Sequence, residues 1–477
     1  MILRHGSLIG YLLFLLTAGT NASVSAAPAE LPAATAQRID ADVKAVLRRF
    51  GVPGAAIMAV RDGQPVYVRT FGLRDTAHSL PVHPDTVFEI GSITKQFTAA
   101  SILQLEEAGK LKIDRPLSDY LPGAPHAREI TLRQLLTLTS GLHDYLDGPE
   151  MDRLASHPIS YRDLIARIAP LPLDFPPGSR WHYSNTDYLL LGKVIETVSG
   201  ESYRDYLQRH IFDPLHMKDT HTTAETGHLP NAATGYRHAS GRLERAPTID
   251  ASWGTSAGFL LTTLSDLAKW DTALSHRKVV SLASYRQMTT PFMTTKNGSA
   301  NYGFGFFIDS IYSQPRIGHT GGTYGSTAAD EYFPRQDIRI VAFTNLGDGT
   351  PEAGETLTNI VFAALYPAIA AEAAKSARGE NRAITQLVRD AFRELQTGTS
   401  YARFNDRLRG KLAAGIGAKF VTGLGPYGVT TAQVFKGSRR DAKETWYDYV
   451  IQFGPGVSLP FAVKVGRDSA VTGFSVG

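Results

Sequence analysis

The chain has no cysteine, so disulfides, thiolate nucleophiles and cysteine-based metal sites are excluded from the start. Its 14 histidines are scattered. No His-Glu-x-x-His pairing sets two of them on one helix face, so neither a metal nor any other cofactor is expected. Past the N-terminus, no apolar run approaches the roughly 20 residues needed to cross a bilayer. Dense lysine and arginine runs are missing too, and with them the usual footprint of a nucleic-acid partner. The strict strand-helix alternation of a doubly wound parallel sheet is also absent.

What remains is the composition of an ordinary globular protein, with 477 residues, 43% hydrophobic and 20% charged. That length invites two or more domains. Arg4 and His5 precede an apolar stretch over 8–16, and Val24-Ser25-Ala26 sets small residues before Ala27. Residues 1–26 are therefore expected to be a signal peptide, with the rest secreted across the inner membrane into the periplasm. An uncleaved anchor is the alternative. The net charge of +4 is uneven, since residues 371–477 carry 16 Lys+Arg against 9 Asp+Glu. A basic end of this kind suits contact with anionic cell-wall polymers, although a plain solvated surface explains it as well.

Periodicity predicts a helix over 35–50, then a hairpin of strands 55–60 and 65–71 turning at Arg61-Asp62-Gly63-Gln64. Helices are expected at 132–138, 188–198, 203–210, 265–274 and 353–365. A long loop is expected over 171–185, and surface excursions over 219–256. Strand-like runs fall at 302–308, 319–322, 330–333 and 338–345. Residues 27–366 thus read as an α+β domain: an antiparallel sheet built from both of its ends, flanked by helices, with a helical subdomain between. After a linker at 367–383, residues 384–477 read as a small α+β accessory domain. It would consist of two helices (384–395, 401–412) on an antiparallel meander of four strands.

Three short stretches carry chemistry. Ser92 and Lys95 open a helix that runs into the apolar segment 97–105, and their spacing puts them on one face. A lysine amine can take the serine proton once its pKa is lowered, and burial does that. Next, Trp181-His182-Tyr183-Ser184-Asn185 offers a phenol to relay a proton and an amide to hold lysine and substrate. Finally, in Gly318-His319-Thr320-Gly321-Gly322 the glycines suit a strand edge whose backbone comes close to a ligand. The N–H of Gly322 could join that of Ser92 in an oxyanion hole, with His319, Thr320 and Gly321 orienting the substrate.

In this order the stretches make residues 35–365 resemble the serine β-lactamase and penicillin-binding protein superfamily, in its class C β-lactamase-like branch. That branch also holds D-alanyl-D-alanine carboxypeptidases, D-aminopeptidases and esterases. Thr137-Leu138-Thr139-Ser140-Gly141-Leu142, Ser256-Ala257-Gly258 and Tyr302-Gly303-Phe304-Gly305-Phe306 extend the likeness. The resemblance implies an acyl-enzyme on Ser92, with Lys95 and Tyr183 moving the proton and a small molecule or short peptide as substrate. One departure stands out: where the branch typically carries Lys-Thr-Gly, this chain has His319-Thr320-Gly321. Histidine is mostly neutral near pH 7, so esters, amides and D-amino-acid peptides gain over β-lactams as expected substrates. A histidine titrating in its usual range would also make any preference for anionic substrates fade as pH rises.

Two alternatives stay open. The chain could bind or sense penicillin-like ligands without turnover. Gly254-Thr255-Ser256-Ala257-Gly258 also matches the Gly-x-Ser-x-Gly elbow of α/β-hydrolases, with Ser256 as nucleophile.

Overall fold

The structure is a computed structural model. It describes residues 31–147, 154–223, 229–253, 255–294, 298–299, 301–347, 353–441, 444–454, 457–466 and 469–476. The expected signal peptide lies outside these residues, as does Gly254 of the elbow-like motif.

A seven-stranded sheet forms the centre, every neighbouring pair antiparallel. Its order is Phe307–Ile311, Gln314–Gly322, Thr327–Phe333, Ile338–Thr344, Gly54–Arg61, Gln64–Asp75 and Leu80–Pro81. The N-terminal hairpin and the late strands meet where Gly54–Arg61 pairs with Ile338–Thr344, so both ends of the domain build the sheet. The hairpin turns through Asp62 and Gly63, both at positive φ (51° and 72°), the two-residue loop whose twist matches that of the strands.

Alternation assigns the strand residues to two cores. Ala56, Met58 and Val60 face the helical subdomain. Ala55, Ile57 and Ala59 face the opposite side, toward helices Ala33–Phe50 and Ala353–Leu365. With both faces covered, the central strand is apolar at almost every position. On the subdomain side, helix Thr94–Glu107 is buried all round from Thr94 to Leu103. Phe97 stacks on Trp270 at 3.9 Å between ring centres.

The C-terminal part holds the four-stranded antiparallel meander in chain order, Ala432–Asp441, Glu444–Gly454, Val457–Val465 and Val471–Val476. Its helical portion differs from the expected pair. Arg382–Thr397 forms as anticipated, but the second helix begins only at Asp406, capped by Asn405, and Gly417–Leu424 adds a third. Tyr401 sits at positive φ (50°), which keeps the helix from starting there. Within the stretch read as a linker, Pro367–Ala373 is helical, with Pro367 at the first position, where its missing N–H costs nothing.

Smaller differences follow local chemistry. Tyr161–Ile168 and Leu282–Met288 are helices that periodicity did not show; each is capped by a serine, Ser160 and Ser281. Residues 302–306 are not strand, apart from an isolated bridge between Tyr302 and Phe307. Among the described residues no single helix is long and apolar enough to cross a membrane.

Candidate active site

Ser92 sits in a tight turn, Gly91–Ile93, that leads directly into helix Thr94–Glu107. The turn is held from both sides. Thr94 Oγ1 donates to the Gly91 carbonyl (2.7 Å) and accepts from the Leu260 N–H (3.1 Å). The Ile90 N–H donates to the Leu260 carbonyl (3.0 Å). Gly91 takes φ of 50°, a left-handed geometry that glycine adopts without strain.

One helical turn on, the Lys95 side chain is wholly buried. Its Nζ lies 3.0 Å from Ser92 Oγ, 2.9 Å from Asn185 Oδ1 and 2.6 Å from the Ala257 carbonyl. Burial pulls its pKa down to about 7, against the opposing pull of Asp144 and Asp187. The amine is thus poised between its two forms at neutral pH, as a proton acceptor for serine must be.

Asn185 is the first residue of helix Asn185–Ser199, three positions ahead of the expected start. Its backbone N–H (3.0 Å) and Nδ2 (2.9 Å) both donate to Asp144 Oδ2. Tyr183, just before this helix, places its ring centre 4.8 Å from Lys95 Nζ. The ring lies parallel to Phe307 (7°, 6.4 Å), and Trp181, Tyr302 and His319 complete an aromatic wall beside the amine.

The strand Gln314–Gly322 supplies the other wall. Its pairing with Phe307–Ile311 ends at Gly318, so among the described residues no strand pairs with 319–322 on that side. There the backbone meets the serine turn at close range. A Cβ on Gly321 would stand 1.9 Å from the Ile90 carbonyl oxygen and 3.2 Å from the Ser92 nitrogen. A Cβ on Gly91 would stand 2.6 Å from the Gly322 nitrogen. Only glycines allow this approach, and it brings the Ser92 and Gly322 backbones side by side.

His319 departs from expectation. It is buried, and its Nδ1–H donates to the Thr320 carbonyl (2.5 Å) while Nε2 accepts from the Tyr302 hydroxyl (3.1 Å). Neither ring nitrogen is left for a substrate. Burial, aided by the nearby Lys95 amine, pushes its pKa down to about 3. The ring stays neutral across the working range, so the pH-dependent anion preference anticipated from a surface-like histidine does not follow.

Ser256 is also corrected. Its hydroxyl is packed against helix Asn185–Ser199, so that a Cβ on Gly192 would fall 2.1 Å from Oγ, and its carbonyl accepts from Thr98 Oγ1 (2.7 Å). Ser256 lies in the short helix Thr255–Gly258 with its hydroxyl inside the core, beside sheets that are antiparallel, so it cannot serve as an elbow nucleophile. Its neighbour matters instead, since the Ala257 carbonyl binds Lys95. Asp144, Asp187 and Ala257 are the site residues that motif reading passed over, although Ala257 lies within a stretch it singled out and the two acids stand two residues beyond Leu142 and Asn185. Among the described residues no cluster of His, Asp or Glu is arranged to hold a metal ion.

An antiparallel sheet flanked by helices, with a serine and a buried lysine at the head of one of them, defines a class of serine hydrolases. Residues 39–365 match the family described as Beta-lactamase, and the chain belongs to the beta-lactamase family. It is 34% identical over 288 residues to the putative penicillin-binding protein PbpX of Bacillus subtilis, spanning 58% of this chain and 70% of that protein. Among solved structures, a D-stereospecific amidohydrolase from Streptomyces sp. superposes with a TM-score of 0.58 at 28% identity, over 70% of this chain and 97% of that one. The octameric penicillin-binding protein homologue from Pyrococcus abyssi shares the fold over 92% of this chain and 99% of its own (TM-score 0.62, 22% identity). That span is longer than the 39–365 matched by the family.

Proposed function

We propose that the chain is an exported hydrolase that forms an acyl-enzyme on Ser92 and cleaves amide or ester bonds, with D-amino-acid amides and short D-peptides as the favoured class. The observation that carries this reading is the buried Lys95 amine 3.0 Å from the Ser92 hydroxyl. In its neutral form Lys95 accepts the Ser92 proton as Oγ bonds to the substrate carbonyl carbon. The Ser92 and Gly322 N–H groups face the developing oxyanion, where each such donor is typically worth about 10²–10³-fold in rate. Tyr183, beside the amine, passes the proton to the leaving amine or alcohol. Water, deprotonated by the same groups, then releases the acid and restores the serine.

The substrate class follows from the strand edge. Where the resemblance leads one to expect a lysine for a substrate carboxylate, His319 is neutral and already bonded at both nitrogens. A substrate whose recognition depends on an anion finds no cation there, whereas a neutral amide or ester loses nothing. The structural neighbour named as a D-stereospecific amidohydrolase points the same way.

The test is a panel of nitrocefin, a short-chain p-nitrophenyl ester, and the D- and L-forms of phenylalanine amide. Purified protein and its Ser92→Ala variant are compared, and adducts are followed by intact mass. Turnover of ester and D-amide, lost in Ser92→Ala, supports the reading. Efficient nitrocefin turnover with inert amides overturns the substrate class, and a permanent nitrocefin adduct without turnover shows a binder instead.

A further inference from the structure

We propose that Asp144 is a positioning residue of the Ser92 site: it turns the Asn185 amide so that the oxygen faces Lys95, and it is the carboxylate that balances the lysine charge. This rests on the reading of Ser92 and Lys95 above and adds a residue from outside the three motifs.

A side-chain amide has an acceptor end and a donor end. Asn185 lies between an amine and a carboxyl group. Its Oδ1 takes a hydrogen bond from Lys95 Nζ (2.9 Å), and its Nδ2 gives one to Asp144 Oδ2 (2.9 Å). Flipped, it would set an NH₂ against the amine and a carbonyl against the carboxyl group, losing both bonds. The same Asp144 oxygen also accepts the Asn185 backbone N–H (3.0 Å), while Oδ1 accepts from the Leu146 N–H (3.0 Å). Ser184, the residue ahead of this helix, makes no side-chain cap bond. Asp144 thus caps the helix from a distant loop and fixes the side chain of its first residue in one step.

The other groups facing Lys95 narrow the charge question. They are the Ser92 hydroxyl, the Ala257 carbonyl, the rings of Tyr183 and Tyr188, His319, Asp144 and Asp187. Burial keeps His319 neutral. Asp187 takes a hydrogen bond from Ser140 Oγ (2.5 Å) on one oxygen, and its other oxygen has no partner among the described residues. Burial drives its pKa well up, which favours the uncharged acid. Asp144, by contrast, accepts from three N–H donors across its two oxygens, and it opposes the lowering of the Lys95 pKa more than Asp187 does. The two neighbouring carboxyl groups are therefore engaged differently by their surroundings.

The probe is a fluorophosphonate, whose covalent labelling of the full-length protein is followed by intact mass as a function of pH. It reports acylation whatever the natural substrate, and the pH profile of the second-order rate reads groups of the free enzyme. Asp144→Asn keeps an acceptor for Asn185 and removes the charge. Its acid limb is expected to move to lower pH by about one unit. Asp144→Ala frees the amide and slows labelling. The Asp144→Ala/Asn185→Ala double variant is expected to lose no more than Asn185→Ala alone, because the two act as a unit. An unmoved acid limb in a folded Asp144→Asn protein overturns the inference, as do additive losses in the double variant. A fall in Tm with the profile unchanged marks a purely structural residue and does the same. Undiminished labelling of Ser92→Ala would sink the underlying site reading. An inert Ser92→Ala with an unshifted Asp144→Asn sinks this inference alone.

Discussion

Replacing Gly321 by alanine is expected to disable acylation while leaving the substrate pocket's side chains in place. The added Cβ would lie 1.9 Å from the Ile90 carbonyl oxygen, 2.8 Å from its carbon and 3.2 Å from the Ser92 nitrogen. All three are backbone atoms of the serine turn, so no rotamer change relieves the clash. An ordinary contact begins at 3.4 Å, so strand edge and turn must part by about 1.5 Å. That seam is where the Ser92 and Gly322 amides are proposed to share the oxyanion. Misplacing reacting groups by about 1 Å can cost about 10²-fold, and losing one oxyanion donor costs about 10²–10³-fold, or roughly 2.7–4 kcal/mol. The expected result is a labelling rate and ester kcat lower by about 10²–10³-fold. Gly322→Ala is the matched control: its Cβ meets nothing within 4 Å, its φ lies outside the left-handed region, and the N–H survives. It should stay within about twofold of the parent, as unhindered surface changes do. Both proteins are first checked for folding by circular dichroism. A folded Gly321→Ala with parental kcat, or a Gly322→Ala equally crippled, would refute the close-approach argument.

Ser256→Ala should retain parental ester hydrolysis, because its hydroxyl lies in the core against Gly192; loss of activity with an unchanged Tm would reopen the elbow reading. His319 makes a pH-linked contribution to stability. Its pKa falls from 6.5 to about 3 on folding, so its contribution is complete above pH 6.5 and is lost as pH drops toward 3, by up to about 1.4 kcal/mol per unit. Urea midpoints between pH 7 and 4 should therefore fall more steeply for the parent than for His319→Gln, and parallel slopes would contradict this. Phe97→Ala removes a wholly buried ring stacked at 3.9 Å on Trp270. It should cost about 3–5 kcal/mol in denaturant unfolding, and a loss below about 1 kcal/mol would count against the packing account.

What the sequence disclosed depended on the kind of atom doing the work. Spacing alone was a weak guide: Ser275 and Lys278 repeat the Ser92–Lys95 interval, yet they close helix Leu264–Ser275 at the surface, with Ser275 Oγ bonded to the Thr272 carbonyl. The order of the three motifs and the apolar run behind Ser92 are what distinguish the two. The sheet was legible because strand alternation writes its two faces into residues such as Ala55–Val60. Helices Tyr161–Ile168 and Leu282–Met288 were not, since two turns are too few for a 3.6-residue period to show. Their serine caps were the available signal. The Ala257 carbonyl could not be read from residue type at all, because every residue carries one. His319 was given the pKa of an exposed ring; burial against Tyr302 and Phe307 is a tertiary fact.

The C-terminal meander bears on how far the hydrolase sheet stands alone. Among the described residues, no hydrogen bond to Ser92, Lys95 or Asn185 comes from beyond residue 366. Yet the back face of the sheet and the meander share one apolar cluster, running from Ile57, Ile340 and Phe333 through Phe50 to Tyr427, Phe453 and Phe461. Phe50 packs edge-on to Tyr427 at 6.4 Å, Arg49 Nη1 donates to the Phe453 carbonyl (2.9 Å), and the Ala377 N–H donates to that of Phe435 (2.8 Å). Each large apolar side chain exposed on removing the meander forfeits about 1.5–3 kcal/mol, and a few of them rival a domain's whole net stability. Deleting residues 382–477 should therefore lower Tm sharply or yield aggregate, even though the site is untouched. A truncated protein that is monomeric, melts with the parent and labels at the parental rate would show that the two parts are joined only by the chain between them.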